Sequence, residues 1–122
     1  MSEASRELKI VFPDFEVLVN LKKHLSPIIF TGLILKVPFT SFAYRTKGDV
    51  LVKVDIRKGD IQKIKKLEVG DVYYCMVEDA IGFVLTPKNP CLRTEIKIGE
   101  VTKGLEKLEN IKRITPVKVL FV

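Results

Sequence analysis

The chain has no tryptophan, one histidine and only two cysteines among its 122 residues. The histidine, His24, lies in Lys22-Lys23-His24-Leu25 with no acid beside it. A metal centre needs several His, Cys or carboxylate ligands converging, and no segment supplies them, so neither metal nor cofactor is expected. Cys75 and Cys91 have no C-x-x-C partner, which removes zinc-finger and thioredoxin-like sites. Both sit in apolar or turn-like surroundings, where a reduced cysteine acts as a small hydrophobe. Their spacing permits a disulfide, but the reduced state is expected in a cytoplasmic protein. Long apolar runs are missing too. The stretch from Ser26 to Phe39 is broken by Pro27, Gly32, Lys36 and Pro38 and is too short to cross a bilayer. The opening MSEASRELK carries no basic region followed by an apolar block, so a secretory signal is not expected and the cytoplasm is the expected location.

Hydrophobic residues make up 47% and charged residues 30%, a composition that suits a folded chain and excludes a disordered one. At this length one domain spanning residues 1–122 is expected, large enough for a real core. The net charge of +6 raises the question of a nucleic-acid partner. The cations are scattered among 15 acids, however, and the densest group, Lys63, Lys65 and Lys66, sits beside Asp60 and Glu68. No aromatic residues interleave with it to stack on bases. A solvated face explains it better than a specific nucleic-acid site.

Turn signals organise the middle of the chain. Gly48-Asp49, Gly59-Asp60 and Gly70-Asp71 stand eleven residues apart, and each pair combines a glycine that tolerates positive φ with an aspartate that bonds its own backbone. Between such signals lie alternating runs. Leu8, Ile10 and Phe12, then Pro13-Asp14, then Phe15, Val17 and Val19 predict a hairpin. Val50, Val52, Val54 and Ile56 predict a half-buried strand. Further strands are predicted from Val72 to Val77, Ala80 to Thr86 and Val117 to Val122, and residues 1–7 are expected to be a flexible N-terminus. Ser26 as N-cap and Pro27 at the first helical position predict a helix. These elements fit a mainly β fold, a small closed barrel of about eight strands with two short helices over its ends.

The segment from Glu95 to Arg113, EIKIGEVTKGLEKLENIKR, reads as a strand, a pair of glycines and a short helix with Leu105, Leu108 and Ile111 on one face. The Gly99–Gly104 spacing lacks the Lys-Ser/Thr of a phosphate loop. Its order, G-x-V-x-x-G-L-x-x-L-x-x-I, resembles a segment near the C-terminus of cyclophilins. Val69-Gly70-Asp71-Val72 with Tyr74, and Val37-Pro38-Phe39, resemble the V-G-D-x-x-Y and L-P-F of small prokaryotic cyclophilin-like proteins. The resemblance runs from Leu8 to Val122 and implies a cyclophilin-like barrel.

What the resemblance implies for chemistry is taken residue by residue. Arg45, in Ala43-Tyr44-Arg45, stands where a cyclophilin has its catalytic arginine, and Phe83 where it has a pocket phenylalanine. That arginine is thought to bond near the prolyl nitrogen in the twisted state, which binds the transition state better than the ground state. Ile81, Cys91 and Glu95 replace the groove's glutamine, tryptophan and histidine. The expected function is therefore a non-enzymatic binding module for a small molecule or an extended peptide, in a groove formed by Phe83, Ile81, Cys91 and Glu95. The alternatives are a weak peptidyl-prolyl isomerase using Arg45 and a nucleic-acid-binding barrel. Association with DNA or RNA at physiological salt is expected to be weak and sequence-independent, because steeply salt-dependent binding needs many phosphate contacts. A submicromolar Kd in a fluorescence-anisotropy titration would reverse that expectation.

Overall fold

The computed structural model describes residues 4–62, 66–90 and 94–122. Among them, eight antiparallel strands form one closed barrel. They are β1 (Ser5–Val11), β2 (Glu16–Lys22), β3 (Phe39–Arg45), β4 (Asp49–Lys53), β5 (Asp71–Cys75), β6 (Ala80–Val84), β7 (Glu95–Lys103) and β8 (Thr115–Phe121). Around the wall they run β1-β2-β7-β5-β6-β4-β3-β8, and β8 returns to β1, with Leu8 facing Phe121 and Val11 facing Lys118. The mainly β barrel expected from the alternating runs is present. Residues that alternate in sequence point inward: Leu8 and Ile10, Val50 and Val52, Ile96 and Ile98 are all buried in one core. Burying each such side chain is worth about 1.5–3 kcal/mol, which drives closure.

The two helices cover opposite ends. α1 (Pro27–Lys36) follows the end of β2 and precedes the start of β3, whereas α2 (Leu105–Leu108) follows the end of β7, beside the start of β2. Ser26 caps α1, its Oγ accepting the Ile29 N–H at 3.3 Å, and Ile29, Phe30 and Leu33 are buried against the core. α2 is a single turn. Its Leu108 is fully buried, and Ile111, whose N–H donates to the Leu108 carbonyl at 3.2 Å, joins the same core.

Several boundaries differ from expectation. Residues 5–7 are strand rather than flexible N-terminus, because β2 extends to Lys22 and pairs them, Ser5 with Lys22 and Glu7 with Asn20. β4 stops at Lys53 although the alternation continues to Ile56. Asp55 and Arg57 take φ near +53° and +52°, and the Asp79 carboxylate accepts the N–H groups of Ile56 and Arg57, each at 3.1 Å. Val54 and Ile56 still pack on the core, so there the alternation reports burial and not a strand. Gly59-Asp60 forms no turn but lies in a segment without regular structure, with Asp60 accepting the Ser26 hydroxyl at 2.5 Å. β3 goes unmarked by apolar alternation because Thr40 and Ser41 interrupt it and only Ala43 is fully buried. At Gly99 the pairing of β7 with β5 shifts, and a side chain there would overlap the Asn20 carbonyl oxygen.

Phe83 tests this core directly, since it is fully buried. Phe83→Ala is expected to lower unfolding free energy by about 3–5 kcal/mol in urea titration, the range for a large buried side chain. A loss under about 1 kcal/mol would mean that the ring lines an open groove instead, as an exposed position costs little.

Candidate functional site

The residues singled out in the sequence do not assemble into one groove. Arg45, Val50 and Phe83 do share a row across β3, β4 and β6. The row points into the barrel, where Phe83 and its neighbour Ile81 are both 0% exposed. A groove floored by Phe83 and Ile81 is therefore corrected to a filled core. Directly paired strand positions share a face, so a residue two along from Phe83 is interior for the same reason. Arg45 ends the row at the barrel mouth, exposed, with its Nη1 donating to the Glu109 carbonyl at 2.9 Å. That bond holds the end of α2. Cys91 lies outside the described residues, as do Lys63 and Lys65. Lys66 pairs with Glu68 at 3.7 Å, Cys75 is a buried free thiol, and His24 is exposed.

Glu95 belongs to the outer wall instead, within a polar cluster that composition alone does not reveal. Gly82 leaves room for the Tyr73 ring, which a side chain there would overlap. Across the wall the Tyr73 hydroxyl donates to Asp49 Oδ2 at 2.5 Å. Lys88 Nζ bridges Asp49 Oδ2 and Glu95 Oε2, each at 3.0 Å, and lies 4.3 Å from the centre of the Tyr73 ring. Asp49 is only 5% exposed, and its Oδ1 has no hydrogen-bond partner among the described residues. Burial first, then the bond to Asp49, pushes the Tyr73 hydroxyl far above the ordinary phenol value. Burial alone would lower Lys88, but the bonds to Asp49 and Glu95 outweigh it and raise the ammonium. Together with the Leu67–Lys88 bridge, these contacts pin the segment after β6 against the wall. A second apolar cluster of Leu51, Leu67, Tyr73 and Val84 lies beneath. The cluster reads as a fastening: its cation is held charged, which removes it as a nucleophile or base.

An open cavity of about 470 Å³ lies at the α2 end of the barrel. Its walls come from two distant parts of the chain, Pro13 to Phe15 in the first hairpin loop and Lys107, Asn110 to Arg113 and Thr115 around α2. In the hairpin loop the Phe12 N–H donates to the Phe15 carbonyl at 2.8 Å, and the two rings stack with centroids 4.5 Å apart. Gly104 brings the second wall close. It takes φ +91°, and a Cβ there would sit 2.5 Å from the Glu16 carbonyl oxygen, so only glycine lets β7 turn into α2 directly against the hairpin. Two smaller cavities, about 400 and 230 Å³, flank α1 around Gly32, Leu35 and Lys58. Among the described residues no group of His, Cys, Asp and Glu is placed to hold a metal, and no helix is long and apolar enough to cross a membrane.

The fold and its end cavity define a small, closed, antiparallel barrel with helix-covered mouths. No protein-family model matches the chain, and no curated protein matches it. In solved structures the chain is similar to the hypothetical protein AF2241 from Archaeoglobus fulgidus, seen in solution, with a TM-score of 0.80 at 21% identity. The match covers 99% of this chain and 98% of that one, a likeness of fold over the whole length.

The outer-wall cluster sets an alkaline limit on stability. Unfolded tyrosine ionises near its ordinary value of 10.0 and unfolded lysine near 10.5, whereas folded Tyr73 and Lys88 hold their protons to higher pH. Their contribution is complete below those ordinary values and is lost as pH rises above them. Tyr73→Phe is expected to flatten part of that alkaline decline in urea titrations at stepped pH. It should also cost about 1–3 kcal/mol at neutral pH by leaving the buried carboxylate short of a donor. An unchanged alkaline slope would contradict this.

Proposed function

We propose that this barrel is a non-enzymatic module that binds a small molecule, with its site in the cavity at the α2 end. The observation that carries the reading is the make-up of that cavity. Phe15, Ile111 and Pro13 give it apolar surface, and Asn110, Thr115 and charged side chains surround them. Ligand sites combine apolar walls with a few placed polar groups, and their volumes run from about 300 to 1,000 Å³. Kinship with small cyclophilin-like proteins belongs to the same reading and rests on the shared order of motifs. Binding is favoured over prolyl isomerisation because Arg45 already donates to a backbone carbonyl and Phe83 offers no open face.

The reading is tested by recording amide NMR spectra of the labelled protein against a library of small ring compounds, neutral and charged. Ligand-induced shifts are expected at Asp14, Phe15, Ile111 and Thr115. Shifts confined to Ile28, Leu35 and Lys58 would move the site to α1, and a library without effect on either set would end the proposal.

A further inference from the structure

Resting on the reading of the end cavity as a binding site, we infer that its ligand is an organic anion, a phosphate or carboxylate carried on a flat apolar ring. The charge at the rim points there. Lys107, Lys112 and Arg113 line the cavity, and Asp14 is the one acid among the lining residues, so three cations face one anion and the rim carries +2. None of the three cations has an ion-pair partner among the described residues. Some cations elsewhere are closely paired, Lys22 with Glu100, Lys53 with Glu78 and Lys88 with Asp49 at 3.0 Å, and others such as Lys23 and Lys118 stand singly; at this rim three unpaired cations line one cavity. Like charges gathered without counterions raise the local potential and concentrate anions from solution.

The cavity floor sets the other half of the ligand. Phe15 is half-buried and Ile111 is 6% exposed. A bare inorganic anion would leave that surface wet, and a neutral ring would leave the cations unneutralised. A ring bearing one anionic group satisfies both, with the ring over Phe15 and Ile111 and the anion toward Lys112 and Arg113. The side-chain amide of Asn110 adds hydrogen-bond donors at the same rim. The cavities along α1 carry less charge: the smaller is lined by Lys36 and Lys58 against Asp55, with Lys36 paired to Asp55 at 3.9 Å, and the larger by Lys58 alone. The volume of about 470 Å³ falls within the range of small-molecule sites.

Calorimetric titrations with phenyl phosphate, phenol and inorganic phosphate separate the two halves. Phenyl phosphate is expected to bind at least about tenfold tighter than either fragment, a difference of about 1.4 kcal/mol. Its advantage over phenol should shrink as salt rises toward 1 M, where the screening length falls to about 3 Å. The exposed pair of changes Lys112→Gln and Arg113→Gln should remove most of that advantage while leaving phenol unchanged. Asp14→Asn should tighten phenyl phosphate about two- to threefold, as expected for removing one exposed like charge. Equal binding of phenol and phenyl phosphate would overturn the anion assignment while sparing the cavity reading. Inorganic phosphate as tight as phenyl phosphate would overturn the ring, and a short oligonucleotide binding more tightly than phenyl phosphate would replace the small molecule by a polymer. No binding by any of the three probes would overturn the inference, and the reading beneath it would then be decided by the library of ring compounds.

Discussion

Between β1 and β8 the wall closes through four facing pairs, from Leu8 and Phe121 to Val11 and Lys118. Once a sheet of eight strands meets itself, each strand has one face turned to a space that must be packed, because a void there forfeits dispersion contacts on every side. Everything inward, from Leu8 to Phe83, then serves packing. Recognition is left to the outer wall and the two mouths. Helices occupy those mouths, and the largest of the cavities described lies where α2 and the first hairpin loop do not meet completely.

This division explains the fate of the functional residues. Phe83 and Arg45 share a row, but one end of that row is core and the other is rim. The arginine accordingly ties down the last turn of α2 instead of facing an open slot. Glu95, on the opposite face of the wall, joins Asp49, Tyr73 and Lys88 in a fastening that holds the chain around Lys88 against the barrel wall. Buried charge of this kind stabilises only while every partner is present; removing one leaves the others desolvated and unpaired.

Much of the fold was legible in the sequence because its signals are local. The Pro13-Asp14 turn, the Ser26 cap and the alternation through Val50 and Val52 each depend on residues a few positions apart, and each appears where its chemistry puts it. Phe83 was placed in a groove by the resemblance, which matches positions in order but does not say which face of the strand turns inward, and that choice is made by the strands on either side. β4 shows the complementary limit: Val54 and Ile56 keep the apolar rhythm after the strand has ended, since a crossing segment over a core obeys the same burial. The end cavity was invisible for a different reason. Its walls, around Phe15 and Ile111, are brought together only by the pairing of β2 with β7.

Gly104 sets how closely the chain entering α2 can pass the first hairpin. A Cβ there would sit 2.5 Å from the Glu16 carbonyl oxygen, so at this crossing main chain lies directly against main chain. The charged groups around the cavity are solvent-exposed and form no ion pair among the described residues. Backbone and surface chemistry are thus separable: changes at Lys107, Lys112 or Arg113 would alter the charge of this mouth without touching the backbone crossing at Gly104. The backbone of the mouth is thereby fixed by one glycine, and its charge by exposed side chains that can vary independently of it.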